Sequence, residues 1–131
     1  ESIAALQEAD RENDTVVMAE VADEASYVPH HPKKTAFLFA SMRKFAERLR
    51  ASGWSVAYTK LDDPENSGSI PGELLGRASE TGAKEVIATQ PGDWRLIQLL
   101  DDVPLEMHQF PDTRFFCSVQ EFDSWVEGRN Q

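Results

Sequence analysis

The chain lacks several things, and each absence excludes something. Cys117 is the only cysteine in 131 residues, so no internal disulfide framework exists and a reducing compartment is the expectation. No apolar run approaches the roughly 20 residues of a membrane-spanning helix. The opening residues carry no signal-peptide pattern, and a cytoplasmic location is expected. Cations are outnumbered, 13 Lys and Arg against 23 Asp and Glu, for a net charge of −10. Such a surface repels phosphate backbones, so this piece by itself is not expected to bind nucleic acid. The 7 glycines are not arranged as GxGxxG or GxxxxGK[ST], which leaves no dinucleotide or P-loop fingerprint.

Catalytic and metal signals are missing as well. Cys117 has no activating partner at a recognisable spacing, and no other catalytic constellation appears. His30 and His31 are adjacent, so their rings diverge on strand or helix, and no third ligand supports them. They are read as making local loop or helix-start contacts, and no metal residue is assigned. The run from Asp62 to Gly68 lacks the alternating ligands and closing glutamate of a calcium loop. It reads as a turn-rich connector.

What is present is a core and an alternation. Hydrophobic residues make up 40% of the chain, enough for one packed domain over residues 1–131. Residues 1–9 read as the end of a helix, with Ile3, Ala4 and Leu6. Thr15 to Val21 is a nearly continuous apolar run, expected of a strand buried on both faces. Lys33 to Ser52 reads as a long helix with Leu38, Met42, Phe45 and Leu49 on one face and Gly53 past its end. Strands follow at Trp54 to Leu61, Glu85 to Gln90 and Leu105 to Phe110. Helices follow at Pro71 to Thr81, Trp94 to Leu100 and Ser118 to Trp125, the last with Ser118 and Glu121 at capping-box spacing. The alternation predicts an α/β fold with a Rossmann-like parallel sheet. A fold of this class begins with a strand that lies mid-sheet, whereas this sequence opens in a helix. The expectation is therefore four strands of a five-stranded sheet ordered 3-2-1-4-5, its first strand missing, with self-association through the gap as one way to fill it.

From Met18 to Lys34 an apolar strand runs into an acidic loop, which with Tyr27, His30, His31, Lys33 and Lys34 gathers ionisable groups at the strand's carboxyl end. In open α/β sheets ligands bind at that carboxyl end. Lys33 and Lys34 stand where the helix dipole disfavours cations, which leaves phosphate binding open beside a plain solvated helix start. Gln90 to Arg95 joins a strand to a helix whose first N–H groups are a second candidate anchor for an anionic ligand.

Three stretches in order resemble the N-terminal domain of photolyase-related proteins, the iron–sulfur bacterial photolyases and cryptochromes. They are Val17-Met-Ala-Glu-Val-Ala-Asp-Glu-Ala-Ser-Tyr-Val-Pro-His-His31, Leu61-Asp-Asp-Pro-Glu-Asn-Ser-Gly-Ser69 and Gln90-Pro-Gly-Asp-Trp-Arg95. The ending Arg114-Phe-Phe-Cys-Ser118 with Glu121, Phe122 and Trp125 fits too. The resemblance implies a Rossmann-like domain that carries a ribityl-lumazine antenna, preceded by a strand ending in Gly-Asp-Gln-Leu that this sequence lacks. It implies that Glu24, Tyr27 and Leu38 line the antenna pocket, the glutamate as acceptor, the tyrosine as aromatic face and the leucine as apolar wall. It also implies a C-terminal domain, absent here, that holds FAD and a [4Fe–4S] cluster and acts on ultraviolet-damaged DNA such as (6-4) photoproducts. No catalytic residue falls in the present chain. The alternatives are a signalling cryptochrome without repair activity, a stand-alone α/β nucleotide-binding or stress-type protein, and a structural domain with an empty pocket.

Overall fold

A computed structural model describes residues 3–127 and 129. The elements in chain order are α1 (Ala4–Glu8), β1 (Thr15–Ala19), α2 (Ala22–Ser26), α3 (Pro32–Ala51), β2 (Ser55–Thr59), α4 (Ile70–Thr81), β3 (Glu85–Thr89), α5 (Trp94–Asp101), β4 (Glu106–Phe110) and α6 (Val119–Glu127). The fold is α/β and Rossmann-like, with short parallel strand pairs joined through helices. The chain divides into two compact units, one holding Asp10–Lys84 and the other the residues through Ala9 together with those from Glu85 on.

In the Asp10–Lys84 unit, β1 and β2 pair in parallel from Thr15 opposite Ser55 to Ala19 opposite Thr59. The long helix α3 makes the crossover that parallel pairing requires. His31 caps its start, the ring Nδ1 accepting the Lys33 N–H at 3.2 Å. Gly53, at φ +90°, turns the chain back into β2. The core is small: Val21, Ala46, Leu49 and Trp54. The Arg11 guanidinium lies 5.5 Å from the centre of the Trp54 ring. Ser69 caps α4 by accepting the Gly72 N–H at 3.1 Å, and Gly82 ends it in the left-handed region at φ +74°.

In the other unit, β3 and β4 pair in parallel from Glu85 opposite Glu106 to Thr89 opposite Phe110. The Thr89 hydroxyl accepts the Ala5 N–H at 3.1 Å, which ties α1 to this pair, and Ala4, Leu100 and Val103 are buried. The capping box of α6 is formed. Glu121 accepts the Ser118 N–H at 2.7 Å, and the Ser118 hydroxyl accepts the Glu121 N–H at 3.1 Å. No residue of α6 is buried, and the rings of Phe122 and Trp125 stack at 6.1 Å.

Three expectations are corrected. Thr15 to Val21 is not buried on both faces; β1 ends at Ala19, is half-exposed, and pairs with β2 alone among the described strands. The acidic loop after it is a short helix, α2, because Asp23 and Glu24 fall in a first turn that favours anions. The apolar face of α3 is buried only toward its end, at Ala46 and Leu49, while Leu38 is 53% exposed. The strand neighbours match the expected order, since 2 beside 3 and 4 beside 5 are the pairs β1–β2 and β3–β4.

Candidate functional site

The apolar run of β1 ends on a charge. Glu20 follows the strand directly and its side chain is 0% exposed. A lone buried carboxylate is costly unless several donors surround it. Here four do. Arg43 of α3 donates from Nε and, at 2.7 Å, from Nη2. The Tyr58 hydroxyl of β2 donates at 2.7 Å and the Leu61 N–H at 3.1 Å. The Glu20 backbone is held too. Its N–H donates to the Thr59 carbonyl at 2.9 Å, and its carbonyl accepts the Asn66 amide at 2.8 Å. The Arg43 hydrogen bonds, helped by those from Tyr58 and Leu61 and working against burial, bring the Glu20 pKa down to about 2. Burial, then the neighbouring Glu20 carboxylate, pushes the Tyr58 hydroxyl up to about 12.

The loop between β2 and α4 packs onto the same turn. The Asn66 amide also donates to the Lys60 carbonyl at 2.7 Å, and the Asp23 N–H of α2 donates to the Gly68 carbonyl at 3.0 Å. Gly68 sits at φ +81°, a conformation that favours glycine. The buried Glu73 carboxylate accepts the Ser67 N–H at 2.7 Å and its hydroxyl at 2.9 Å. Burial raises the Glu73 pKa, but hydrogen bonds from Thr59 and Ser67 and the charge of Arg77 outweigh it, so the net shift is downward. The segment from Leu61 to Ser69 is thus a wall of the β1–α2 turn.

Beyond that turn stand the residues singled out in the sequence. Glu24 lies on α2, half-buried, and Tyr27 is the C-cap of the same helix in αR conformation. Three residues apart on one helical path, they share a face. Tyr27 is 52% exposed, and its ring meets His30 edge-on at 5.6 Å. Leu38 stands in the second turn of α3, with Phe37 beside it at 74% exposure. Tyr27, Val28, Phe37 and Leu38 are all among the exposed large hydrophobic residues. In the chain, these exposed apolar residues and Glu24 all fall within the α2 and early α3 segment that follows β1.

The other candidates are used locally. His31 is the α3 cap, and the Lys34 ammonium lies 3.4 Å from Nδ1 of His30. Among the described residues, no group of three His, Cys, Asp or Glu is placed to hold a metal ion. The α5 start is filled by the chain itself. Asp93 accepts the Arg95 N–H at 2.9 Å, and its carbonyl accepts the N–H groups of Leu96 and Ile97. An anionic ligand there would compete with Asp93.

The family model for deoxyribodipyrimidine photo-lyase-related protein matches residues 1–131. The chain belongs to the deoxyribodipyrimidine photo-lyase-related family. It is also 42% identical, over 132 residues, to a protein of Agrobacterium fabrum (strain C58 / ATCC 33970) named (6-4) photolyase. That match covers 98% of this chain and 26% of the relative, so the chain spans about a quarter of the relative's length.

In this photolyase-related chain, sequence reasoning passed over Glu20, Arg43, Tyr58 and Asn66. One signal was available: a glutamate between Ala19 and Val21, inside an otherwise apolar run. A charge there either faces water or has a buried partner. Nothing in the order of residues pointed to Arg43 as that partner.

Proposed function

We propose that this chain is the antenna-binding part of a photolyase that repairs (6-4) photoproducts in ultraviolet-damaged DNA. The observation that carries the repair reading is the 42% identity to the relative named (6-4) photolyase across 98% of this chain. The antenna reading is supported by the exposed side chains of Tyr27 at the end of α2 and of Phe37 and Leu38 early in α3, with the half-buried Glu24 on α2. A ribityl-lumazine has a flat conjugated ring and a chain of hydroxyls. Tyr27 offers an aromatic face, Leu38 an apolar wall and Glu24 an acceptor for ribityl hydroxyls or a ring N–H, so these residues fit that group. When bound, the lumazine would supply light absorption; the chain's own residues orient it and shield it from water.

FAD and the [4Fe–4S] cluster are assigned to the remainder of the full-length protein. A four-thiolate cluster needs four cysteines and this chain has Cys117 alone. The partner of this domain is then the FAD domain, and damaged DNA is engaged through that domain rather than across a surface of net charge −10. The edge of β1 away from β2, which pairs with no other described strand, is the surface through which self-association by strand pairing would occur. A cytoplasmic setting fits the exposed free thiol of Cys117.

The test is made on the full-length protein. Purified protein should carry lumazine absorption beside flavin absorption and should repair (6-4) photoproducts in light. Replacing Leu38 by Trp should remove the lumazine band and leave the flavin band. Undiminished lumazine absorption in that variant would remove Leu38 from the pocket, and absence of light-driven repair would remove the photolyase assignment.

A further inference from the structure

We propose that Glu20 and Arg43 are positioning residues, a clamp that sets the distance between the two walls of the antenna site. This rests on the antenna reading above and adds to it residues that the ligand never touches. The carboxylate has no capacity left for a ligand. Oε1 accepts from Arg43 Nε and Tyr58, and Oε2 accepts from Arg43 Nη2 and Leu61. With its side chain at 0% exposure, Glu20 can act on a bound molecule only through what it holds in place.

What it holds are the two elements that carry the candidate site. Glu20 is the last residue but one before α2, with Glu24 one helical turn beyond it and Tyr27 one turn further. Arg43 lies on α3 five residues past Leu38, about 7.5 Å along the axis at 1.5 Å per residue. The buried residues of α3, Ala46 and Leu49, lie on the far side of Arg43 from Leu38. Moving along the helix from Leu38 toward that core, the Arg43–Glu20 pair is met before any buried side chain. The first half of α3, which carries Leu38 and is at most half-buried, thus extends from this anchor toward Pro32.

The geometry of the pair suits that task. A guanidinium donating from two nitrogens to both oxygens of one carboxylate fixes orientation as well as distance. Lysine would keep the charge but lose the planar fork. Tyr58 and Leu61 hold the same carboxylate from β2 and the following loop, so the clamp is referenced to the strand pair rather than to α3 alone. A small change in the tilt of α3 at Arg43 is amplified at Leu38.

The experiment uses full-length protein and ribityl-lumazine as titrant, followed by lumazine fluorescence, with flavin content and thermal unfolding recorded on the same samples. R43K and E20Q should keep flavin and remain folded at the assay temperature, yet bind lumazine at least tenfold more weakly, with a displaced absorption maximum for what is bound. Y58F, which removes the Tyr58 hydroxyl but leaves the two-point Arg43–Glu20 pair intact, should bind within about twofold of wild type. If R43K does not retain flavin, the double variant E20Q/R43Q, a neutral hydrogen-bonded pair, is read by the same criterion. Folded clamp variants that bind lumazine as wild type does, while Leu38→Trp abolishes binding, overturn the clamp and leave the antenna reading standing. A wild type that takes up no lumazine, or a Leu38→Trp variant that binds it normally, overturns both.

Discussion

Glu20→Gln should remove an acid-sensitive component of stability that the wild type carries. The folded carboxyl titrates at about 2 against an ordinary value of 4.5. A difference of this size corresponds to about 3 kcal/mol favouring the ionised folded state. Because the Arg43 side chain is 46% exposed, water screens part of the pairing, and roughly 2 kcal/mol is the working figure. The folded value is depressed, so the contribution is complete above about pH 4.5 and is lost as pH falls toward 2. Tyr58 works in the opposite direction. Its folded value is raised from 10.0 to about 12, so its contribution is complete below pH 10 and is lost as pH rises through 12. Stability from this network is therefore flat between about pH 5 and pH 10. Gln at position 20 keeps the shape but not the charge. At pH 7 it should be less stable than wild type by roughly 2 kcal/mol, and the gap should narrow steadily below pH 4.5. Other carboxylates with lowered values, Asp10, Glu73, Asp112 and Glu121, titrate in both proteins and cancel in the difference. Urea unfolding followed by circular dichroism across this range supplies the curves. Parallel curves from pH 7 to pH 2.5 would refute the ionised, donor-surrounded carboxylate.

Gly72→Ala should lower stability although alanine is the better helix former by about 1 kcal/mol. A Cβ there would lie 2.5 Å from the Ser67 hydroxyl, which must then leave the buried Glu73 carboxylate, for a net loss of about 1–2 kcal/mol in urea unfolding. Ser118→Ala removes the cap of a helix with no buried residue, so α6 should lose about 1 kcal/mol. Amide exchange at Phe122, whose N–H donates to the Ser118 carbonyl, should accelerate while β1 amides stay protected; equal acceleration in both would mean a global effect. Leu38→Trp enlarges an exposed side chain, so the melting temperature should hold within a few degrees while lumazine is excluded, and a large fall in melting temperature would place Leu38 in the core instead.

The order and type of the major elements were legible in the residues because their signals are local. Gly53 ends α3, Pro71 and Gly82 mark the first turn and the end of α4, and the Ser118–Glu121 pair starts α6. Each acts within one turn of its own position. Strand neighbours were legible as well, since parallel pairs need crossovers and short connections limit which strands can meet. The position of Glu24 and Tyr27 past the end of a strand followed from that order, whereas their proposed role came with the resemblance to photolyase-related proteins.

Tertiary structure decided what depends on distant residues meeting. The Glu20 carboxylate draws on Arg43, Tyr58 and Leu61, separated from it by 23, 38 and 41 positions. No local pattern encodes those partners, because the free energy of burying a charge depends on donors that only the fold assembles. The same holds for exposure. Leu38 and Leu49 read alike on the helical period, yet one is 53% exposed and the other 3%. Periodicity says which side chains share a face; the strands that face packs against, and where they end, settle which of them leave water.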